Sequence, residues 1–169
     1  MPLALRLDGE LDAAALEAAL GDVIARHEVL RTVFPVEGGQ PYQRVLDMAE
    51  LSWQLPLIPV AGQDLGETVA QIAAEPFDLE AQVPVRARLL AAGAGVHVLV
   101  LVIHHIATDG WSTGILARDL GAAYAARREG RVPGWAPLPV QYADYAIWQR
   151  ELLGSAAVSY THLCWSRCR

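Results

Sequence analysis

Two titratable rings, His104 and His105, stand at the end of an apolar run in VLVLVIHHIATDGWSTG, residues Val98 to Gly114. Asp109, Gly110 and Ser112 follow closely. These residue types admit four chemistries. Side chains alternate across a strand, so Val96, Val98, Val100, Val102 and His104 fall on one face and His97, Leu99, Leu101, Ile103 and His105 on the other. Opposed rings do not chelate one ion, and no third ligand stands at a usual spacing, which makes a metal site the weakest reading. A purely structural role suits His104, packed beneath the turn and hydrogen-bonded to it. GWSTG fits the G-x-S-x-G nucleophile pattern between a strand and a helix, but the only histidine after Ser112 is His162. Ser112 is adequately explained as a helix-start residue. In the fourth reading, His105 accepts a proton from an attacking amine or hydroxyl, as a neutral imidazole can near physiological pH. Asp109 then either orients the ring or pairs with a distant arginine to fix the turn. Gly110 either takes up a backbone conformation closed to other residues or allows close approach by substrate. The local residues favour this fourth chemistry without naming a substrate.

The elements that must position these groups follow from periodicity. LALRLDG alternates as a half-buried strand. Asp12 is a plausible N-cap for a helix that places Leu16, Leu20, Val23 and Ile24 on one stripe. Short strands are expected around RTVFPV and YQRVLD, separated by the turn EGGQP, and a helix over GETVAQIAAE. VRARLLAA and GVHVLVLVIHH form two strands joined at GAG, with the second central because both of its faces are apolar. A helix from about Ser112 to Arg127 buries Ile115, Leu116, Leu120 and Tyr124. EGRVPGWAPLP is a Pro/Gly-rich connection, and QYADYAIWQRELL opens another helix in which Tyr145 and Trp148 read as packing residues. The fold class is α/β (α+β), with a mixed or antiparallel sheet and flanking helices.

At 169 residues and 53% hydrophobic content the chain can bury a core of one-domain size. Its formal charge of −6 argues against nucleic acid as a partner. The N-terminus lacks the pattern of a signal peptide, and VLVLVI is far short of the ~20 residues that span a bilayer. These features point to no membrane partner and a soluble, cytoplasmic protein. Residues 154–169 carry two arginines, both cysteines (Cys164 and Cys168) and no acid, unlike the acidic body before them. They read as a non-native read-through tail, so the cysteine spacing implies neither redox nor metal chemistry.

Several segments, taken together, resemble one family. HHIATDG, His104 to Gly110, matches the HHxxxDG motif of nonribosomal peptide synthetase condensation domains and their chloramphenicol-acetyltransferase-like relatives. RHEVLRTVF, Arg26 to Phe34, looks like the family's second core motif. PFDLEAQVPVRARLL, Pro76 to Leu90, resembles the segment leading to its central strands, and YADYAIWQR, Tyr142 to Arg150, its fourth core motif. The matches occur in family order, and the wording of the second and fourth is closest to the subclass joining two L-configured residues.

This resemblance implies a two-lobed fold, each lobe a mixed sheet with flanking helices, and a tunnel between the lobes. It implies donor and acceptor peptidyl carrier domains as partners, each presenting a thioester on phosphopantetheine, and an adjacent adenylation domain. No cofactor is bound covalently and no metal is used. The acceptor's α-amine attacks the donor thioester without a covalent enzyme intermediate. By the motif, His105 stands at the reaction centre, where it either removes the amine proton or positions the amine and stabilises the tetrahedral species. Positioning alone can supply ~7–11 kcal/mol of barrier reduction, against ~10²–10⁴-fold for one positioned base. His104, Asp109 and Gly110 are supporting motif residues. The motif aspartate pairs with an arginine in the family, for which Arg26 stands first, then Arg31 and Arg86. The family's first core motif and the motifs after YADYAIWQR are absent. Residues 1–153 are therefore expected to be a partial N-terminal lobe, inactive alone and prone to aggregate through an exposed lobe interface. Two alternatives stay open: a stand-alone HHxxxDG acyltransferase esterifying an alcohol, and a non-catalytic docking lobe.

Overall fold

The computed structural model describes residues 1–61 and 64–153; the tail assigned to residues 154–169 lies outside them. The chain divides into a unit of residues 1–136 and a second unit from Pro137 onward.

The first unit is built on a four-stranded sheet in the order β1-β8-β7-β6. Strand β1 (Pro2–Asp8) and strand β7 (Val85–Gly93) both run antiparallel to β8 (Val96–Ile103), whereas β6 (Leu57–Pro59) runs parallel to β7. The sheet is therefore mixed. The register sets Leu5 and Leu89 on either side of Leu99. The β7–β8 hairpin turns through Gly93 and Gly95, whose φ values of 149° and 69° few side-chain-bearing residues adopt. Between β1 and β6 lie four two-residue strands in two small ladders: β2 (Thr32–Val33) with β5 (Arg44–Val45), and β3 (Val36–Glu37) with β4 (Gln40–Pro41).

Helix α1 (Ala13–Arg26) starts where Asp12 accepts a hydrogen bond from the Ala15 N–H at 2.9 Å. It buries Leu16, Leu20, Val23 and Ile24 against Leu89, Leu99 and Leu101 of the sheet. A 3₁₀ turn over Glu28–Arg31 leads into β2. Helix α2 (Leu65–Ala74) covers the opposite face, where Ile72 packs with Leu90, Val98, Val100 and Val102. Strand β8 is thus buried on both faces, as its continuous apolar run requires.

Helix α3 (Gly110–Arg128) packs beside α1. The two are joined by ion pairs, Arg127 to Asp22 at 2.6 Å and Arg26 to Asp119 at 3.0 Å. Two expectations about α3 need correction. It begins at Gly110, two residues before Ser112, because Asp109 caps it. Ile115 is 46% exposed, because Leu116, Asp119, Leu120 and Ala123 form the inward stripe instead.

In the second unit residues 142–153 are helical. Its Gln141 N–H donates to the Asp144 carboxylate at 2.9 Å. Tyr142, Tyr145 and Trp148 form an aromatic ladder with centroid separations of 6.0 and 5.8 Å. Tyr145 and Trp148, expected to be packing residues, are exposed and stack on one another.

Candidate active site

Strand β8 ends at Ile103, so both histidines lie in the turn that follows it rather than on the strand. The His104 N–H still reaches the Pro84 carbonyl at 2.8 Å, which prolongs the ladder by one bond. The His104 carbonyl then accepts from Ala107 N–H at 3.0 Å, and the chain turns. The His104 ring continues the α2-side face of β8, edge-on to Phe77 with centroids 5.9 Å apart. Its Nδ1 accepts a hydrogen bond from Ile106 N–H at 3.1 Å, which requires the neutral ring with its proton on Nε2. His105 is exposed, and no hydrogen bond joins its ring to the described residues. The turn thus holds one ring in a structural bond and leaves the other with both nitrogens open to a reactant.

Asp109 is the N-cap of α3. Its Oδ1 accepts from Ser112 N–H at 2.8 Å and from the Ser112 hydroxyl at 2.6 Å, while Asp109 N–H donates back to Ser112 Oγ at 3.4 Å. The hydrogen bonds from Ser112 hold the Asp109 carboxyl below the usual range, with His105 contributing a small attraction. This reciprocal cap corrects two expectations. Among the described residues no arginine pairs with Asp109, and Asp109 makes no hydrogen bond to His105. Each candidate arginine is engaged elsewhere. Arg26 donates from Nε to Asp119 and lies 4.9 Å over the Trp135 ring. Arg31 holds the Leu46 carbonyl and Glu28. Arg86 pairs with Glu75 at 3.2 Å.

Gly110 has no positive φ, so conformational freedom is not its reason for being glycine. A Cβ there would meet nothing within 4 Å, leaving open space beside the turn. The Ser112 hydroxyl is committed to the cap, in the first turn of a regular helix, and among the described residues no histidine bonds it. That geometry does not support a nucleophile elbow. No group of three metal-ligating side chains occurs among the described residues.

Sequence reasoning missed Asp119, a buried carboxylate on the inward stripe of α3. It accepts from Arg26 and from Arg118, and its Oδ2 lies 3.0 Å from His27 Nε2. Burial pushes its carboxyl up, but the hydrogen bonds from His27 and Arg118 outweigh this and hold it below the usual range. An acid among Leu116, Leu120 and Ala123 was the available signal. Arg26 and His27 of the second motif therefore clamp α1 to α3, the helix that carries the Asp109 cap. A mostly apolar cleft of about 110 Å³, lined by Leu5, Leu20, Ile24, Leu101, Leu116 and Thr113 among others, lies between the sheet and these helices. His105 does not line it. Ile106, next to His105 in sequence, and Trp111 and Ile115 in the first turns of α3 are exposed, with Trp111 89% exposed.

The site is thus a central strand that ends in a histidine turn, capped by Asp109 into α3, which Arg26 and His27 clamp to α1. The chain belongs to the condensation-domain family, whose model matches residues 1–169. It is 59% identical over 156 residues to a Salinispora arenicola protein named as a nonribosomal peptide synthetase, CymA, covering 92% of this chain and 2% of that one. It is 50% identical over 155 residues to the dimodular nonribosomal peptide synthase of Bacillus subtilis, covering 92% of this chain and 6% of that one. Among solved structures, the X-domain from teicoplanin biosynthesis superposes with a TM-score of 0.86 at 46% identity, over 90% of this chain and 33% of that one. The first condensation domain of the CDA synthetase gives 0.75 at 25% identity, over 91% and 40%. The chain therefore spans a few per cent of its curated relatives and about a third of the solved chains. The mixed α/β lobe of chloramphenicol-acetyltransferase-like type expected from sequence is the fold found. No helix among the described residues is long and apolar enough to cross a membrane.

Proposed function

We propose that this chain supplies the reaction-centre histidine for peptide-bond formation between carrier-bound thioesters in nonribosomal peptide synthesis. The observation that carries the reading is His105 itself: exposed, without a ring hydrogen bond among the described residues, and carried on a turn braced at His104 and capped at Asp109. The acceptor amine nitrogen attacks the donor thioester carbonyl; the C–N bond forms and the C–S bond breaks. The free His105 ring either takes the amine proton or holds the amine in line, and the departing phosphopantetheine thiol ends protonated. A neutral imidazole can do both in sequence without forming a bond to substrate. Phosphopantetheine belongs to the donor and acceptor carrier domains and enters as part of the substrates. An adjacent adenylation domain would load them, in the cytoplasm.

Because His105, Ile106, Trp111 and Ile115 all face solvent, we read the lobe by itself as one wall of a site. We place the activity in a longer polypeptide and expect the 169-residue chain alone to be inactive. Incubating the chain with both loaded carrier domains tests this expectation: product above the no-protein control would contradict it. Supplying the polypeptide encoded by the intact parent gene with the same carriers should yield dipeptide on the acceptor carrier. No dipeptide there, with an ester formed on an added alcohol, would favour the stand-alone acyltransferase.

One observation favours a second reading, a docking lobe. The teicoplanin X-domain, 46% identical over 90% of this chain, has been solved in complex with OxyB. A parent polypeptide that binds a partner enzyme while forming neither peptide nor ester would support it.

A further inference from the structure

We propose that Phe77 and Arg86 are positioning residues for His105, acting through His104. The assignment of His105 to the reacting position rests on the function proposed above; the mechanical linkage does not. Phe77 follows the end of α2 and packs on the Ile72–Val98–Val102 side of the sheet. The His104 ring stands edge-on against it, 5.9 Å between centroids and 80° between planes. On Phe77 itself the Arg86 guanidinium lies 4.4 Å from the centroid. Arg86 is in turn held in place by the segment it holds. It donates to the Glu75 and Pro76 carbonyls at 3.1 and 3.0 Å and pairs with the Glu75 carboxylate at 3.2 Å.

The direction of His105 depends on this stack. Among the described residues His105 has no side-chain hydrogen bond, so its backbone is set by its neighbours. On one side His104 is tied to Pro84, and on the other Ile106 N–H is tied to His104 Nδ1. That second bond exists only while the His104 ring keeps its rotamer. The ring is half-buried, and the aromatic contact described for it is Phe77. Phe77 is kept upright by the strand-borne cation over it. Glu75, Arg86, Phe77, His104 and Ile106 thus form a chain of contacts from the end of α2 to the turn around His105.

The linkage is testable on the 169-residue chain by ¹⁵N NMR, reading Ile106 amide exchange and the His104 ring nitrogens. The Val100 amide, deep in β8, serves as the internal reference. Phe77→Leu keeps apolar bulk and removes the ring. It should speed Ile106 exchange about five- to tenfold relative to Val100 and average the two His104 nitrogen environments. Phe77→Tyr should restore both. Arg86→Met should speed Ile106 exchange about threefold, and it reads the same linkage should Phe77→Leu fail to fold. Ile106 exchange and His104 signals unchanged in Phe77→Leu, or in Arg86→Met where the former does not fold, would overturn the proposal. So would a Phe77→Tyr chain as loose as Phe77→Leu. None of these readouts involves turnover, so loss of the peptide-bond reading would leave the linkage standing, and the reverse.

Discussion

At the scale of single residues the site separates bracing groups from the one that is free. Asp109 is spent on Ser112, and its depressed carboxyl means that the cap is lost as pH falls. A carboxyl with a folded value below its unfolded one stabilises above the unfolded pKa and loses that contribution as pH falls through the folded value. Asp109→Ala should therefore remove amide protection from the first turn of α3 and leave the sheet protected, as hydrogen exchange would show. Equal protection in both chains would mean that Asp109 has another task. That His104, His105 and Asp109 share one turn between β8 and α3 was legible from seven residues of sequence. The partner of Asp109 was not, because an arginine partner and a helix cap leave the same local pattern. Only the hydrogen bonds to Ser112, three residues on, separate them.

At the scale of elements, the account turns on how α3 is held. Asp119 is 5% exposed and meets Arg26 and His27, more than ninety positions away along the chain. Asp119→Ala takes the carboxylate away from the 13%-exposed Arg26 side chain, and breaking a buried pair costs up to about 3–5 kcal/mol, less here because Arg26 keeps the Ala136 carbonyl. Urea unfolding should show a loss of that order at neutral pH. The difference between the two proteins should shrink as the medium is acidified through the lowered Asp119 pKa. A difference independent of pH would show that the ionised carboxylate is not the stabilising group. Leu99, 1% exposed between Leu5 and Leu89, tests the sheet itself. Leu99→Ala should cost about 2–5 kcal/mol, and a loss below 1 kcal/mol would place the core elsewhere.

These elements were unequally readable. Helix α1 announced itself by an N-cap and a four-residue stripe, and the β7–β8 hairpin by its glycines. Strand β6 did not, because a three-residue strand ending in Pro59 carries no period, and its parallel pairing with β7 is set by tertiary contact. The end of β8 was placed two residues late, since the alternation persists through His104 after strand pairing has given way to the turn.

At the scale of the whole molecule, Ile106, Trp111 and Ile115, all within ten residues of His105 along the chain, expose apolar side chains. An exposed apolar patch of this kind marks contact with another body. Trp111→Ser should reduce concentration-dependent self-association in sedimentation velocity, while identical distributions would detach Trp111 from that surface. The central claim is that His105 acts on the amine and the thioester. The most direct measurement is dipeptide formation by the polypeptide of the intact parent gene, wild type against His105→Ala, with both carriers loaded and their binding measured in parallel. We expect dipeptide to be lost and carrier binding to be retained. Near-normal dipeptide from His105→Ala would contradict the account.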